Sequence, residues 1–314
     1  MKRLLSLFLL LALVGCYKVP DTIEPQFNFA IQDRYLKQLP AAFAPLSSQE
    51  MKEEWGKEYT IAQKFAQELD LYRAVTTFKR AEFLLPEGNS ERLEEIQYQI
   101  LLSYYLGKRY DAVTQTFNHS TLYHATTSFP AYHDLLIIVY ESYLQTQQEE
   151  KAHYVLRVIE HHYPDTAKRL QLSTALTDGD ISSLQQKQRT DPSQESLSHL
   201  LNTYDAKKKS VSKAQWTNAI IPGMGYLYVG QKQSALTSFL LNGLFIAAAT
   251  HFYVKGQIAA GIITTSFEAG WYFGGIYGAG EAAKLYNERL YEQGAHSALT
   301  HHKLYPVLML NYGF

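Results

Sequence analysis

One side chain in this sequence stands where thiol chemistry would be expected. Cys16 is the only cysteine among 314 residues, which excludes an intrachain disulfide and a cysteine-based zinc site. It follows a basic start, Met1-Lys2-Arg3, and an apolar run, Leu4 to Val14. This order is typical of a secretory signal. A thiolate is a nucleophile that can be alkylated to a thioether, so Cys16 is the first candidate for chemistry.

The residues before Cys16 also resemble a known motif. Leu13-Val14-Gly15-Cys16 is similar to the lipobox of bacterial lipoproteins. The resemblance implies that residues 1–15 are a cleaved signal peptide, that Cys16 is joined to diacylglycerol through a thioether, and that its new amino terminus is acylated. Two or three acyl chains anchor a protein stably, so membrane lipid is an expected partner. An ordinary signal peptide, or an uncleaved anchor with an incidental cysteine, is the alternative.

The residue after the cysteine bears on location. Lipoprotein sorting of the enterobacterial kind retains proteins with Asp at this position in the inner membrane, and this sequence has Tyr17. The expected location is the cell envelope, lipid-anchored and membrane-embedded, with the helical domain facing the periplasm. The absence of Asp favours the outer membrane, but the choice between inner and outer membrane stays open.

The other polar residues form no recognisable catalytic or metal-binding pattern. The eleven histidines include no His-Glu-x-x-His, and the sequence has no Walker loop, no Gly-x-Ser-x-Gly and no Gly-x-Gly-x-x-Gly. A formal net charge of −1 gives no reason to expect a nucleic-acid partner. We therefore expect a binding protein with no catalytic residue, metal or cofactor. The alternative, an enzyme without a known motif, would show a deep polar pocket with shifted pKa values.

An apolar, glycine-rich block occupies residues 218–281. It contains two stretches, 235–252 and 257–280, in which Glu268 is the only charged residue; Lys255 lies in the turn between them. A helix as long as the first stretch spans about 27 Å, close to the thickness of the hydrocarbon core of a bilayer. The block therefore predicts a two-helix transmembrane hairpin. The alternative is a buried hairpin that covers the helical domain in water.

Five residues inside this hairpin are candidates for packing. Gly270, Gly274 and Gly278 recur every four residues, a stripe that lets another backbone approach closely. Glu268 needs a partner in lipid, and folding about the turn puts Asn242 at the same depth. On a helix Glu268 points about 160° away from the glycine stripe. We expect the glycines to face the first helix and Glu268 to face another subunit or protein; a local packing or capping role is the alternative for Glu268.

A second resemblance lies just before the hairpin. Pro222, Gly223, Gly225, Tyr228 and Gly230 form a Pro-Gly-x-Gly-x-x-Tyr-x-Gly motif. The motif is similar to one that precedes the first hairpin of certain bacterial membrane modules. It implies a membrane hairpin and does not imply an activity.

Residues 47–206 are expected to form a domain of helical repeats. Seven residues occur at positions that resemble those of a tetratricopeptide repeat: Ile61, Ala62, Phe65, Ala74, Phe78, Ala81 and Pro86. Two weaker units follow, with Ala112 and Ala152 in the place of Ala74, and the repeat count stays open. The predicted helices are 48–68, 71–84, 91–106, 109–118, 131–146, 149–163 and 166–176. The predicted fold class is all-α, a tetratricopeptide-like solenoid followed by the two-helix transmembrane hairpin.

The repeat resemblance implies that a protein partner binds on the concave face of the solenoid. The candidate contact residues lie on the first helices of their pairs: Tyr98, Tyr105, Tyr140 and Tyr143. Packing within the stack is the alternative for these tyrosines. The predicted function is an envelope lipoprotein that acts as a protein-binding scaffold in envelope assembly. The rival is a membrane factor whose hairpin aids membrane-protein insertion or oligomerises, and the oligomeric state is left open.

The remaining segments are connections and a terminus. Residues 16–46 are expected to be a tether, residues 207–293 a basic linker with the membrane hairpin module, and residues 294–314 a C-terminal tail. The linker suits anionic headgroups, yet basic flanks outside the cytoplasm contradict the positive-inside tendency. The route of hairpin insertion therefore stays open. The tail either frays or adds a strand to a partner's sheet edge.

Overall fold

The computed structural model describes residues 19–27, 33–190 and 195–314. Throughout these residues the regular structure is helical and no strand forms; the one β-bridge among them joins Ala41 to Gly313. The all-α prediction is therefore confirmed. Cys16 and the signal sequence lie outside the described residues.

The α-helices follow one another in this order: α1 Asp33–Leu36, α2 Glu54–Gln67, α3 Leu71–Leu84, α4 Ser90–Leu106, α5 Tyr110–Asn118, α6 Tyr132–Gln145, α7 Glu149–His162, α8 Pro164–Thr177, α9 Ile181–Thr190, α10 Glu195–Lys207, α11 Val211–Ile220, α12 Met224–Val229, α13 Lys232–Val254 and α14 Ile258–His301. Short 3-10 helices occupy Glu50–Lys52, Thr121–His124 and Pro306–Met309. The predicted helices that correspond to α3 through α8 agree with the structure to within about two residues at each end, which is the ordinary uncertainty of helix ends.

The chain divides into two compact units, each discontinuous in sequence. The first, which we call the repeat unit, comprises residues 28–174 and 299–314. The second, the hairpin unit, comprises residues 1–27 and 175–298. The units part after Thr174, whereas the sequence predicts a domain boundary after residue 206.

The repeat unit contains three helix pairs that are closed by the same turn. The pairs α2/α3, α4/α5 and α6/α7 each have one connecting residue with a positive φ angle: Leu69, Lys108 and Gln147. In each turn an N–H donates back to the first helix over 2.9 Å: Asp70 to the carbonyl of Phe65, Arg109 to that of Tyr104, and Gln148 to that of Tyr143. This bond belongs to the Schellman ending, which satisfies the last carbonyls of a helix. The first helix of each of these three pairs therefore ends in the same way.

Small residues let the first of these pairs pack closely. Ala62 and Ala66 of α2 and Ala74 and Ala81 of α3 are all buried, together with Phe78. An alanine methyl allows the two helix axes to approach, and a larger ring fills the space beside them. Four of the residues on which the repeat resemblance rests, Ala62, Ala74, Phe78 and Ala81, therefore lie in this core, whereas Ile61 is exposed.

In the hairpin unit, α13 and α14 are joined by a short turn at Gly256, whose φ angle is 73°. Glycine adopts this left-handed conformation without strain. α14 then continues for 44 residues to His301. The sequence predicts that the second stretch ends at Gly280, but Glu281 and the residues after it include good helix formers and no proline, so the helix does not end there.

Candidate functional site

Residues 19–26, which we call the strap, lie along α14. Val19 is buried in a cluster with Val211, Val229 and Ala283. Its side chain packs directly against Gly280, where a Cβ would lie 2.9 Å from a Val19 methyl. The strap is therefore seated on the helix three residues after Cys16, in a region that the sequence predicts as a tether.

Carboxylates of α14 hold the rest of the strap. The N–H of Glu24 donates to Glu288 Oε1 at 3.0 Å, and the N–H of Gln26 donates to Glu292 Oε1 at 2.7 Å. Lys284 Nζ lies 3.1 Å from Glu24 Oε1. The strap thus follows the helix from Gly280 toward its carboxyl end.

Two contacts define how α13 lies against α14. Tyr253 Oη is 3.1 Å from Thr265 Oγ1 next to the turn, and Gly275 faces the hydroxyl of Ser238 farther away. The two helices are therefore antiparallel neighbours. Among the described residues, Lys232–Val254 is the one helix that is long and apolar enough to cross a membrane. The structure therefore supports one candidate span where the sequence predicts two.

The face of α14 that meets α13 carries Glu268 and not the glycine stripe. Thr265 and Gly275, which contact α13, lie within about 60° of Glu268 around the helix. Both carboxylate oxygens of Glu268 are buried and have no hydrogen-bond partner. Gly270 and Gly274 are exposed, with open space around the position of a Cβ. The predicted assignment of the two faces is therefore corrected: the glycine that makes the close approach to α13 is Gly261, where a Cβ would lie 2.7 Å from the Tyr253 ring.

Packing against the preceding helices explains this orientation. Tyr272 Oη donates to the carbonyl of Ala219 at 2.5 Å, and the hydroxyl of Tyr226 closes off Gly278. These contacts come from α11 and α12, which precede the hairpin. They rotate α14 so that the face with Tyr272 and Glu268 points inward.

The exposed glycines line a groove between α13 and α14, which we call the hairpin groove. Its volume is about 780 Å³, and its walls include Gln233, Ser238, Leu241, Asn242, Phe267 and Trp271. Asn242 is only 3 % exposed; its Nδ2 donates to the carbonyl of Ser238 at 2.6 Å, and its Oδ1 has no partner. No hydrogen bond joins Asn242 to Glu268, so the expected pair at equal depth does not form.

The Pro-Gly-x-Gly-x-x-Tyr-x-Gly motif builds the turns before the hairpin. Gly223 has a φ angle of 94°, and its N–H donates to Asn218 Oδ1 at 2.8 Å. Gly230, with a φ angle of 97°, ends α12. Tyr228 accepts a hydrogen bond from the N–H of Ser210 at 3.1 Å. The motif residues therefore act structurally, and Asn218 is a further member that the motif does not reveal.

The four tyrosines predicted to contact a partner are buried in the repeat unit. Tyr98, Tyr105, Tyr140 and Tyr143 are each at most 4 % exposed. Tyr105 donates a hydrogen bond to Glu141, and Tyr143 donates to Asn118 Oδ1 at 2.7 Å. These side chains pack the stack and cannot form a contact surface in this conformation, so their predicted binding role is corrected.

The C-terminal tail covers part of the first-helix face. The carboxylate of Asp134, on α6, is fully buried and accepts hydrogen bonds from the backbone N–H of Asn311 at 2.8 Å and of Tyr312 at 2.9 Å. The N–H of Gly313 donates to the carbonyl of Pro40 at 2.9 Å. The tail is therefore docked within its own chain, because a buried carboxylate requires donors. Asp134, directly before the apolar run Leu135 to Val139, is the signal that sequence reasoning missed.

Two carboxylates of the repeat unit have pKa values shifted in opposite directions. Burial raises the pKa of Glu141 to about 7. Hydrogen bonds from Arg92 and Ser47 lower the pKa of Glu50 to about 2. Neither residue lines the hairpin groove or the smaller cleft beside Tyr72. Both shifts belong to side chains that hold helices together.

The arrangement as a whole offers an apolar surface, a groove and a docked strap. Among residues 19–27, 33–190 and 195–314, no three His, Cys, Asp or Glu side chains are grouped so that they could hold a metal ion. No protein-family model, no curated protein and no solved structure matches this chain.

Proposed function

We propose that this protein is a membrane-anchored lipoprotein of the bacterial envelope, held by acyl chains on Cys16 and by the α13/α14 hairpin, which uses a tetratricopeptide-like repeat unit to bind a protein partner. The observation that carries the proposal is the exposure of α13. Leu236, Phe239 and Leu244 are each more than half exposed, on a helix long enough to span a bilayer. Apolar area costs about 25 cal/mol per Å² in water, and lipid removes that cost.

The exposed side chains in the first turns of α14 also support a lipid environment for the hairpin. Ile258, Ile262, Ile263 and Phe267 are also more than half exposed. A hairpin buried against protein in water would cover these side chains, so their exposure speaks against that alternative. Glu268, turned toward α13, is then shielded from lipid, which lowers the cost of a carboxyl group at that depth.

The repeated turns and the buried alanines support the tetratricopeptide-like assignment of the repeat unit. Its partner surface must lie away from the four buried tyrosines. We place it at the cleft of about 400 Å³ that includes Tyr72, Lys79, Tyr104 and Arg109. Tyr72 is 85 % exposed, and Lys79 Nζ lies 5.3 Å from the Tyr104 ring centroid. Aromatic and cationic groups of this kind suit an acidic segment with an apolar anchor.

Two experiments on cells that produce the full-length protein test whether it is anchored as proposed. Metabolic labelling with an alkyne fatty acid should label the wild type and not a Cys16→Ser variant. Carbonate washing should leave that variant in the membrane, since the hairpin still holds it. Unlabelled wild-type protein in the cytosolic fraction would contradict the proposal.

Three buried oxygens favour a second candidate function, a membrane factor whose hairpin binds another membrane segment. Both Glu268 and Asn242 have oxygen atoms without a hydrogen-bond partner inside the helix pair. A donor from another protein would satisfy them. If Glu268→Leu changes the complexes seen by crosslinking in native membranes while protein abundance is unchanged, this second function is favoured.

A further inference from the structure

We infer that the hairpin groove holds an acyl chain carried by the protein's own Cys16. The inference rests on the proposed acylation of that residue and goes beyond it, since it gives the chain a binding site in the protein. Three observations carry it: where the strap is seated, how far it is from the groove, and how the groove is lined.

The strap fixes the position from which the acyl chain starts. Val19 is buried against Gly280, and Glu24 and Gln26 follow at successive turns of α14 toward its carboxyl end. The strap therefore runs parallel to the helix. The seat of Val19 on Gly280 is therefore the point from which the reach of Cys16 is measured.

The distance from the seat of Val19 to the groove is short enough for a chain attached at Cys16. Gly274, in the groove wall, is six residues from Gly280, which is about 9 Å along the helix and about a third of a turn around it. Cys16 is three residues before Val19, a length that spans about 10 Å when extended. The glyceryl group of a lipidated cysteine adds further reach. The first carbons of an acyl chain can therefore enter the groove while Val19 stays seated.

The lining of the groove changes along its length in the order that a diacylglycerol requires. Gln233 and Ser234 lie at the start of α13, and the contact of Ser238 with Gly275 puts this end at about the level of Gly280. Leu241, Phe267 and Trp271 line the deeper part, where Asn242 and Ser266 are the polar residues. The polar end therefore suits the ester groups and the apolar end suits the hydrocarbon.

The groove is also a built recess and not only a gap between two lipid-facing helices. Asn242 lines it while being 3 % exposed, and its side chain is fixed by the bond to the carbonyl of Ser238. The volume of about 780 Å³ lies within the usual range of ligand sites, about 300–1,000 Å³. A groove of this size fits a flexible chain better than a complete third helix, whose diameter with side chains is about 10–12 Å.

The test uses the full chain in cells fed a palmitic acid analogue that carries a diazirine and an alkyne. After irradiation of the membranes, mass spectrometry of the purified protein locates both the acylated residue and the crosslinked residues. We expect the analogue on Cys16 and crosslinks concentrated on Ser238, Leu241 and Asn242, groove residues that are buried or half-buried. Crosslinks found equally on the exposed Phe239 and Ile262 would overturn the inference, because they would place the chain in bulk lipid.

A matched pair of variants separates groove binding from general membrane contact. Gly274 and Gly243 are both exposed and both have open space where a Cβ would lie, but only Gly274 lines the groove. Gly274→Leu should abolish the groove crosslinks, and Gly243→Leu should leave them unchanged. Equal crosslinking in the two variants would also overturn the inference.

The remaining outcomes distinguish this inference from the proposed function. Groove crosslinks to a second copy or to another protein, with Cys16 acylated, would overturn the inference and leave the lipoprotein proposal intact. Absence of the analogue from Cys16 would overturn both.

Discussion

Two helices of this protein, α6 and α13, are both rich in apolar residues but have opposite surroundings. In α6 of the repeat unit, every residue from Leu135 to Tyr140 is buried. In α13 of the hairpin unit, Phe239, Leu240 and Leu244 are each more than half exposed. Protein surrounds the first helix, whereas the second is covered on one side only. Apolar composition alone therefore does not determine burial, and the described residues leave one side of α13 uncovered.

The two units also differ in how they satisfy a buried carboxylate. Asp134 of the repeat unit is fully buried and accepts several hydrogen bonds from its own chain. Glu268 of the hairpin unit has no hydrogen-bond partner for either oxygen. A buried carboxylate without donors is strongly disfavoured. Among the described residues, the buried carboxylate of the repeat unit is thus satisfied by its own chain, whereas that of the hairpin unit is not.

The sharpest test of this contrast places one charge in each helix. Ile138→Asp, at a fully buried position, should cost more than about 4 kcal/mol and leave little folded repeat unit. Leu240→Asp, at a position 57 % exposed, should leave the repeat unit folded and weaken membrane insertion by about 2.5–3.5 kcal/mol. Limited proteolysis reports the first effect and carbonate extraction the second. If Leu240→Asp leaves membrane association unchanged, the proposed difference between the two helices is wrong.

The next largest effect concerns the docked tail. Asp134→Ala leaves the N–H groups of Asn311 and Tyr312 without their acceptor, at about 1–3 kcal/mol for each buried group. We expect lower thermal stability and faster hydrogen exchange in residues 304–314. Asp165→Ala, at a carboxylate that is 95 % exposed, is the control and should change neither. Unchanged exchange in the Asp134 variant would show that the tail is held by other contacts.

A pH dependence of the repeat unit follows from Glu141. Its folded-state pKa is raised from 4.5 to about 7 by burial, so between these values the unfolded chain has lost a proton that the folded chain keeps. The contribution of Glu141 is therefore full below pH 4.5 and is lost as the pH rises through 7, by up to about 3 kcal/mol. Glu141→Gln should flatten this part of the stability curve measured by urea unfolding. Glu149→Gln, at an exposed position on α7, should leave it unchanged.

Glu50, in the same unit, contributes a pH dependence of stability of the opposite sign. Its folded-state pKa is lowered to about 2, so the stability it contributes is present above its ordinary pKa of 4.5 and is lost as the pH falls toward 2. Glu50→Gln should weaken the acid-side loss in the same urea measurements. If both variants shift the curve in one direction, the assignment of the two carboxylates is wrong.

The smallest expected effect compares two glycines of the hairpin unit. Gly223→Ala forces a non-glycine residue into a φ angle of 94° and brings its methyl against the carbonyl of Ala235, so it should cost at least about 1–2 kcal/mol. Gly243→Ala has open space and should gain about 0.5–1 kcal/mol. Thermal unfolding in detergent measures both. A neutral Gly223→Ala would show that the turn before α13 relaxes freely.

Much of the secondary structure could be predicted from the sequence because it depends on neighbouring residues. The ends of α3 through α8 follow from caps, turns and periodicity, and the hairpin turn follows from Lys255 and Gly256 between apolar stretches. The buried alanines Ala62, Ala74 and Ala81 follow from the spacing of the repeat. The site was less predictable. The orientation of Glu268, the burial of Tyr98 and the seating of Val19 each depend on residues far away in the chain.

By itself, then, the sequence determined that the described residues are helical and where α3 through α8 begin and end. Only the tertiary structure decided which face of α14 meets α13, that the tail docks on Asp134, and that the strap follows α14. The physical reason is the distance along the sequence over which each interaction acts. Helix formation is governed by hydrogen bonds and side chains within a few residues, whereas the rotation of a helix is set by the surfaces that pack against it.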